Sequence, residues 1–317
     1  MLTSEVKSEK QQPKIVGEEN VFLVGRPPFE EYLSYMSTEP IGAETADLRQ
    51  LANEWRTAND YIKALQKSEE KWADNPSIDP IPEDLAPLVT DVLSDPIFEK
   101  SYSAVPVNLG LVELDRLVVF QKNINLAYVS QLREQLGPKP SPEDVFRLCM
   151  PSDHPVVPYR VRQIAQNQFS FVSVSNDLRV TELALLNPSQ IANHQSKGIN
   201  VGVVALFVGY GANYLSVTSA EGRLVLINAS HRAYALRDLG VTHVPCVIQN
   251  VTRREELNVV AGGLPLSQSP DQYLKEPRPP VLKDYFDPNL RKIVRLLPKA
   301  RQVRVMVGAE VSDIPWE

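Results

Sequence analysis

The chain has 317 residues, a net charge of −6, and 43% hydrophobic and 23% charged residues. This is ordinary for a globular protein of one large or two ordinary domains, and it excludes a surface that is basic all over. Cys149 and Cys246 are the only cysteines; they suit a reducing cytoplasm, cannot form a disulfide framework and lie in no Cys/His cluster, so no metal site is expected.

Residues 1–18 are polar, without the apolar core of a secretory signal, and are expected to be disordered. Val21 to Val24 predicts a short strand, stopped by Arg26-Pro27-Pro28. From Ala46 to about Trp72 the spacing predicts a helix. Leu48, Leu51, Ala52, Trp55, Ala58, Ile62 and Leu65 share one stripe, read as core rather than as a groove for a partner. Asn75-Pro76 and Asp79-Pro80-Ile81-Pro82 break the chain. Leu85 to Leu93 predicts a second helix, ended by Asp95-Pro96. No catalytic motif appears in this region.

Gly110 to Phe120 predicts a strand, Gln121 to Asn125 a turn, and Leu126 to Leu136 a helix. After a Pro-rich break at Gly137 to Pro142, Phe169 to Val174 and Leu178 to Leu186 flank Asn176-Asp177 and read as a hairpin. The most apolar window, Ile199 to Val217, is interrupted by Asn200, Gly202, Gly209, Gly211 and Asn213. Buried strands are therefore expected there, not a membrane span, with Val203 to Val208 as one of them. Tyr214 to Val217 and Arg223 to Ile227 flank Ala220-Glu221-Gly222 as a second hairpin.

Leu264 to Pro280 reads as a linker or surface loop. Leu282 to Leu297 reads as a helix broken at Asp287-Pro288, and Gln302 to Val307 as a half-buried strand. Arg291, Lys292, Arg295, Lys299, Arg301 and Arg304 make this tail basic. The plain reading is a solvated face; the sharper one is contact with nucleic-acid phosphates.

The stretch that carries chemistry is residues 223–251. Leu224 to Ile227 is a buried-strand run. Asn228 and Ser230 are N-cap residues. From His231 the spacing is helical, with Ala235, Leu236 and Leu239 on one face, and Gly240 suits the position just past the helix. Val244 to Ile248 is another strand. The helix start offers free N–H groups backed by the positive end of the dipole. Ser230, His231 and Arg232 stand there, which predicts a site for phosphate or another anion; the plain alternative is a capped helix with His231 and Arg232 on the surface.

Asn228-Ala229-Ser230-His231-Arg232, then Tyr234-Ala235-Leu236, Leu239-Gly240 and Val244-Pro245, resemble the ParB/sulfiredoxin-like superfamily. The resemblance covers about thirty residues. It implies an α+β fold, a mixed sheet with short helices, and nucleotide phosphates held by Asn228, Ala229, Ser230, His231 and Arg232. It also implies a polar turn after the first strand; Gln121 fits that turn, whereas Lys122 and Asn123 depart from it.

The expected organisation is a helical N-terminal region (19–104), a ParB/sulfiredoxin-like domain (105–252) and a tail (253–317). The expected ligand is ATP or another nucleoside triphosphate, with Mg²⁺. Hydrolysis or phosphotransfer is the reaction class to test, with His231 as the candidate catalytic residue. Glu113 and Asp115 are the nearest carboxylates and read as ordinary strand residues. Sulfinic-acid reduction ranks below these, because the resemblance implies a thiolate at the position that Ser230 occupies. The alternative is a ParB-like nucleic-acid-binding protein or nuclease, with Arg291, Lys292, Arg295, Arg301 and Arg304 on the nucleic acid. Residues 252–317 lack the helix pair of a DNA-reading motif, and no carboxylate cluster suggests catalytic metal ions. A cytoplasmic protein without a membrane span is expected.

Overall fold

A computed structural model of the chain describes residues 16–154, 156–191, 194 and 197–316. Most of the N-terminal stretch expected to be disordered lies outside these residues, but Glu18 already opens a strand. In chain order the elements are β1 (Glu18–Leu23), α1 (Phe29–Thr38), α2 (Leu48–Ser68), β2 (Ile78–Asp79), α3 (Ala86–Leu93), α4 (Pro96–Ser101), β3 (Val107–Glu113), β4 (Asn123–Asn125), α5 (Leu126–Leu136) and α6 (Pro142–Cys149). They continue with β5 (Tyr159–Ala165), β6 (Gln168–Ser173), β7 (Arg179–Leu186), β8 (Val203–Gly209), β9 (Ser216–Ala220), β10 (Arg223–Asn228), α7 (Ser230–Asp238), β11 (His243–Asn250), β12 (Arg291–Leu296) and β13 (Arg301–Met306). The class is mixed α+β.

The main sheet has the order β10-β9-β11-β3-β2. β11 runs parallel to β9, and the other pairs are antiparallel. Glu221 and Gly222 both take positive φ between β9 and β10, the two-residue turn whose twist suits a hairpin. The predicted strand Gly110 to Phe120 is shorter than expected: β3 ends at Glu113 and a 3-10 turn follows. Val118 then lies beside β10, donating to Leu224 O and accepting from Leu226 N–H. Val112, Val217, Leu226, Val244, Val247 and Ile248 from this sheet form the largest core with Val129, Phe146, Tyr214 and Leu236.

A second sheet, β12-β1-β4, joins the N-terminal strand to the tail and to the strand before α5. It packs on α1 and α2 through Phe22, Tyr32, Met36, Leu51, Ala58, Ile62 and Val294. α2 begins where Asp47 Oδ1 caps the N–H groups of Arg49 and Gln50 at 2.8 and 3.3 Å. Of its predicted stripe Leu51, Ala52, Ala58 and Ile62 are buried, Trp55 and Leu65 are partly buried, and Leu48 faces solvent. α1 and α6 are further helices that no spacing in the sequence predicts. α6 starts at a reciprocal Ser141–Asp144 capping box.

Four expectations are corrected. The segment 282–297 is no helix: a 3-10 turn covers Leu282–Phe286 and β12 follows. Pro288 stops the turn, and the β-branched Ile293 and Val294 pair with Val21 and Asn20 of β1. Residues 264–280 are no linker. Leu266 and Leu274 are core, and Arg278 is 1% exposed. Phe169 to Val174 and Leu178 to Leu186 do not pair with each other. β6 lies between β5 and β13, while β7 pairs with β8, whose apolar residues match its own: Leu183 faces Leu206 and Leu185 faces Val204. Finally, β8 is not buried; Val204, Leu206 and Phe207 are all exposed.

Candidate anion site at the start of α7

β10 delivers the chain to Asn228. Its amide donates to Tyr214 O at 3.0 Å and its Oδ1 accepts the Ala229 N–H at 2.8 Å. Ala229, not Ser230 or Asn228, is the residue that caps α7, in the left-handed conformation at φ 72°, ψ 32° and without a side-chain cap. For a residue with a Cβ this costs about 1–2 kcal/mol, and such strain recurs at ligand sites. The first helical bond runs from Ala233 N–H to Ala229 O. Among the described residues, the backbone N–H groups of Ser230, His231 and Arg232 have no hydrogen-bond partner. They are the open donors every helix start leaves. At the far end, Gly240 takes φ +83°, while Gly240 and Val241 donate to Arg237 O and Leu236 O. That is the expected glycine-terminated stop.

Arg232 is not on the surface: it is 5% exposed. It lies within the turn's inner side because Nη1 reaches Leu148 O in the last turn of α6 at 2.7 Å and Nη2 reaches Asn213 Oδ1 at 2.9 Å. No carboxylate pairs with it among the described residues. Burial pulls its pKa below the ordinary arginine value, and the nearby Cys149, Tyr128, Tyr102 and Asp177 only partly oppose this. Its positive charge thus has only neutral acceptors, one of them a carbonyl in the C-terminal turn of α6, where the helix dipole favours a cation.

The His231 ring lies edge-on against Tyr128 of α5, centroids 5.6 Å apart. Burial lowers its pKa to about 4, so near neutral pH it offers an uncharged imidazole rather than a cation. Gln121 enters differently. Its backbone carbonyl accepts from the Tyr285 hydroxyl, and among the described residues no hydrogen bond joins its side chain to the start of α7. Its segment does run into β4 and α5, which pack beside α7. Asp115 pairs with Arg237 at 2.9 Å, near the opposite end of α7, and so is a structural residue. Cys149 and Cys246 are both buried, which pushes the Cys149 thiol up to about 12 and raises that of Cys246 well above its usual value. Neither is poised as a thiolate.

A cluster next to the turn escaped the sequence reading. Asp95 Oδ2 accepts the Tyr214 hydroxyl at 2.5 Å and pairs with His154 Nε2, while Oδ1 caps Ile97 N–H at 2.8 Å. Burial pushes the Asp95 pKa up, but the bonds from Tyr214, His154 and Ile97 outweigh it and hold the carboxylate below its usual range. Tyr214 is shifted the other way by burial and by Asp95, so it stays protonated. The Tyr214 carbonyl is also the acceptor for Asn228, which links this cluster to the turn. Asp95-Pro96 marked only a helix boundary in the sequence, and nothing local ties it to positions 154 and 214.

The basic tail is divided. Arg291, Lys292 and Arg295 lie on β12, whereas Arg301 and Arg304 lie on β13 in another sheet. Lys292 pairs with Glu54, Lys299 with Glu39, and Arg301 donates to Asn176 O at 2.6 Å. The five cations expected on a nucleic acid are thus split between two sheets. Among the described residues no group of three His, Cys, Asp or Glu side chains could hold a metal ion, and no helix is long and apolar enough to cross a membrane. Compared with protein-family models, with curated proteins and with solved structures, the chain matches none.

Proposed function

We propose that the protein binds the phosphates of a nucleoside triphosphate, ATP or a relative carried with Mg²⁺, at the start of α7, within a ParB/sulfiredoxin-like fold. The observation that carries this reading is the buried Arg232 guanidinium without a paired carboxylate, in the first turn of a helix whose first three N–H groups have no partner. An uncompensated charge in the interior is costly, and an anion at the helix start offsets it. The N–H groups of Ser230 and His231 and the Ser230 hydroxyl are the direct contacts in this reading. Arg232 adds a fixed positive charge that ties α7 to α6 and to Asn213. His231 donates or accepts as a neutral ring. Hydrolysis or transfer of the terminal phosphoryl group is the reaction class to assay, since that chemistry rests on positioning and charge more than on a protein nucleophile.

Calorimetric titration with ATP, ADP, GTP and CTP, each with Mg²⁺, tests the reading. Saturable binding of at least one triphosphate, competed by inorganic triphosphate, is expected. Absence of binding by all four at millimolar concentration would remove it.

A further inference from the structure

The sheet β13-β6-β5 has an unusual charge balance for a protein of net charge −6. Its three strands contain Arg160, Arg162, Arg301 and Arg304 and no Asp or Glu. The pairing fixes which of them share a face. Arg162 is opposite Ser170, and Ser170 is opposite Arg304; Arg160 is opposite Val172, and Val172 is opposite Gln302. Directly opposed residues point to the same side of a sheet, as do residues two apart on one strand. Arg160, Arg162 and Arg304 are therefore on one face, while Arg301 is on the other.

All three are exposed, and among the described residues none has a hydrogen bond or an ion pair from its side chain. The other tail cations with internal partners, Lys292, Lys299 and Arg301, are already accounted for. Arg160 and Arg162 are about 6.6 Å apart along β5, and Arg162 and Arg304 about 9.6 Å apart across the sheet. These spacings are near the screening length of about 8 Å at physiological salt, so an approaching polyanion meets the three charges as one patch. Between them lie Ser170, held by Gln302 Nε2 at 2.7 Å, and Val172, with Met306 at one end.

We propose that this face docks the phosphate backbone of a single-stranded nucleic acid through Arg160, Arg162 and Arg304. Guanidinium groups grip two oxygens of a phosphate at once. No aromatic side chain shares the face, so bases are not stacked on it and binding is independent of sequence. A protein partner would call for a buried apolar or aromatic anchor at the centre, where this face has serine and arginine stems. A duplex presents two strands across a groove about 12 Å wide; a second row of cations would be needed, and Arg291 and Arg295 lie in a different sheet.

The test uses the full chain and fluorescence anisotropy with a labelled oligo(dT) of about 20 nucleotides, long enough to cover a single-strand site. Three neutralised phosphates predict that log K falls with log salt at a slope of about −2, some 20-fold between about 50 and 200 mM. Arg304→Ala should make the slope shallower by about 0.7, and the Arg160→Ala/Arg162→Ala/Arg304→Ala variant should lose binding. Arg304→Lys should keep the slope, and Arg291→Ala/Arg295→Ala should bind like the parent. The proposal fails if the parent does not bind the oligonucleotide, if Arg304→Ala leaves the slope unchanged, or if the β12 variant loses as much as the triple one. Binding to phosphatidylserine-containing vesicles but not to oligo(dT) would overturn it in favour of a membrane surface.

Discussion

Arg278 and Arg232 are both buried arginines, and they differ in what surrounds them. Arg278 donates to Asp284 at 2.5 Å and to Glu69 at 2.9 Å, and Lys283 and Arg26 join the same two carboxylates at 2.8 and 3.0 Å. Burial pulls its pKa down, but Asp284 and Glu69 more than restore it. Arg232 has a carbonyl and an amide oxygen, and its pKa is lowered. In the first network every cation is paired with a carboxylate of the chain, although the buried Arg26 Nε has no partner. This network fastens the 278–284 segment to the end of α2 and to the exit from β1. The second has two hydrogen bonds to neutral oxygens and no paired carboxylate, and it belongs to the first turn of a helix with open N–H groups. A buried cation paired with carboxylates of its own protein is architecture; one without a paired carboxylate, on the first turn of a helix, is the better candidate for function.

Substitution separates the two regions. Arg278→Ala leaves Asp284 buried with Arg26 as its remaining cation and should cost about 3–5 kcal/mol of stability, the price of breaking a buried ion pair. Denaturant unfolding measures it; a loss below about 1 kcal/mol would mean that the network holds little. Arg232→Met keeps volume and removes only the charge and its bonds. Ligand-free stability should then stay within about 1 kcal/mol of the parent, while triphosphate affinity falls by about tenfold or more, the effect of removing one nearby partly desolvated positive charge. Equal destabilisation by the two substitutions would erase the distinction.

pH sharpens the comparison at His231. Its folded pKa of about 4 lies below the unfolded value near 6.5. The unfolded chain binds more protons between these values, so stability should fall as pH drops from about 6.5 to about 4. The loss is on the order of 2 kcal/mol for this half-buried ring. Thermal unfolding of the parent and of His231→Gln over that range should show a slope in the first and a flatter line in the second. A bound triphosphate favours the charged ring and should shift the window upward. The smallest effect belongs to Ala229→Gly. Relief of the left-handed conformation should raise stability by about 1 kcal/mol; a drop in melting temperature would show that the turn is not strained there.

The helix start was legible in the sequence because its signals are local. Leu224 to Ile227, Asn228 and Gly240 announce a strand, a turn and a stop within eighteen residues. The environment of the site was not legible. Arg232 is buried by a carbonyl 84 positions away and an amide 19 positions away, and no spacing rule connects them. The Asp95–His154–Tyr214 cluster spans 119 positions for the same reason. Leu282 to Leu297 carried enough leucine to suggest a helix, but pairing with β1 decided it as turn and strand. The tail looked like one basic surface because its cations are close in sequence, whereas strand pairing sends Arg304 to Arg162 and leaves Arg295 opposite Glu19.

The most direct measurement is the melting temperature of the parent and of Arg232→Met, each titrated with ATP and Mg²⁺ and, in parallel, with inorganic triphosphate. A ligand at about 100 times its Kd adds about 2.7 kcal/mol to the folded state. The account predicts a concentration-dependent rise for the parent and a rise displaced to at least tenfold higher ligand for Arg232→Met, from nearly equal ligand-free melting temperatures. A parent that does not respond to either ligand, or a variant that responds as the parent does, would contradict it.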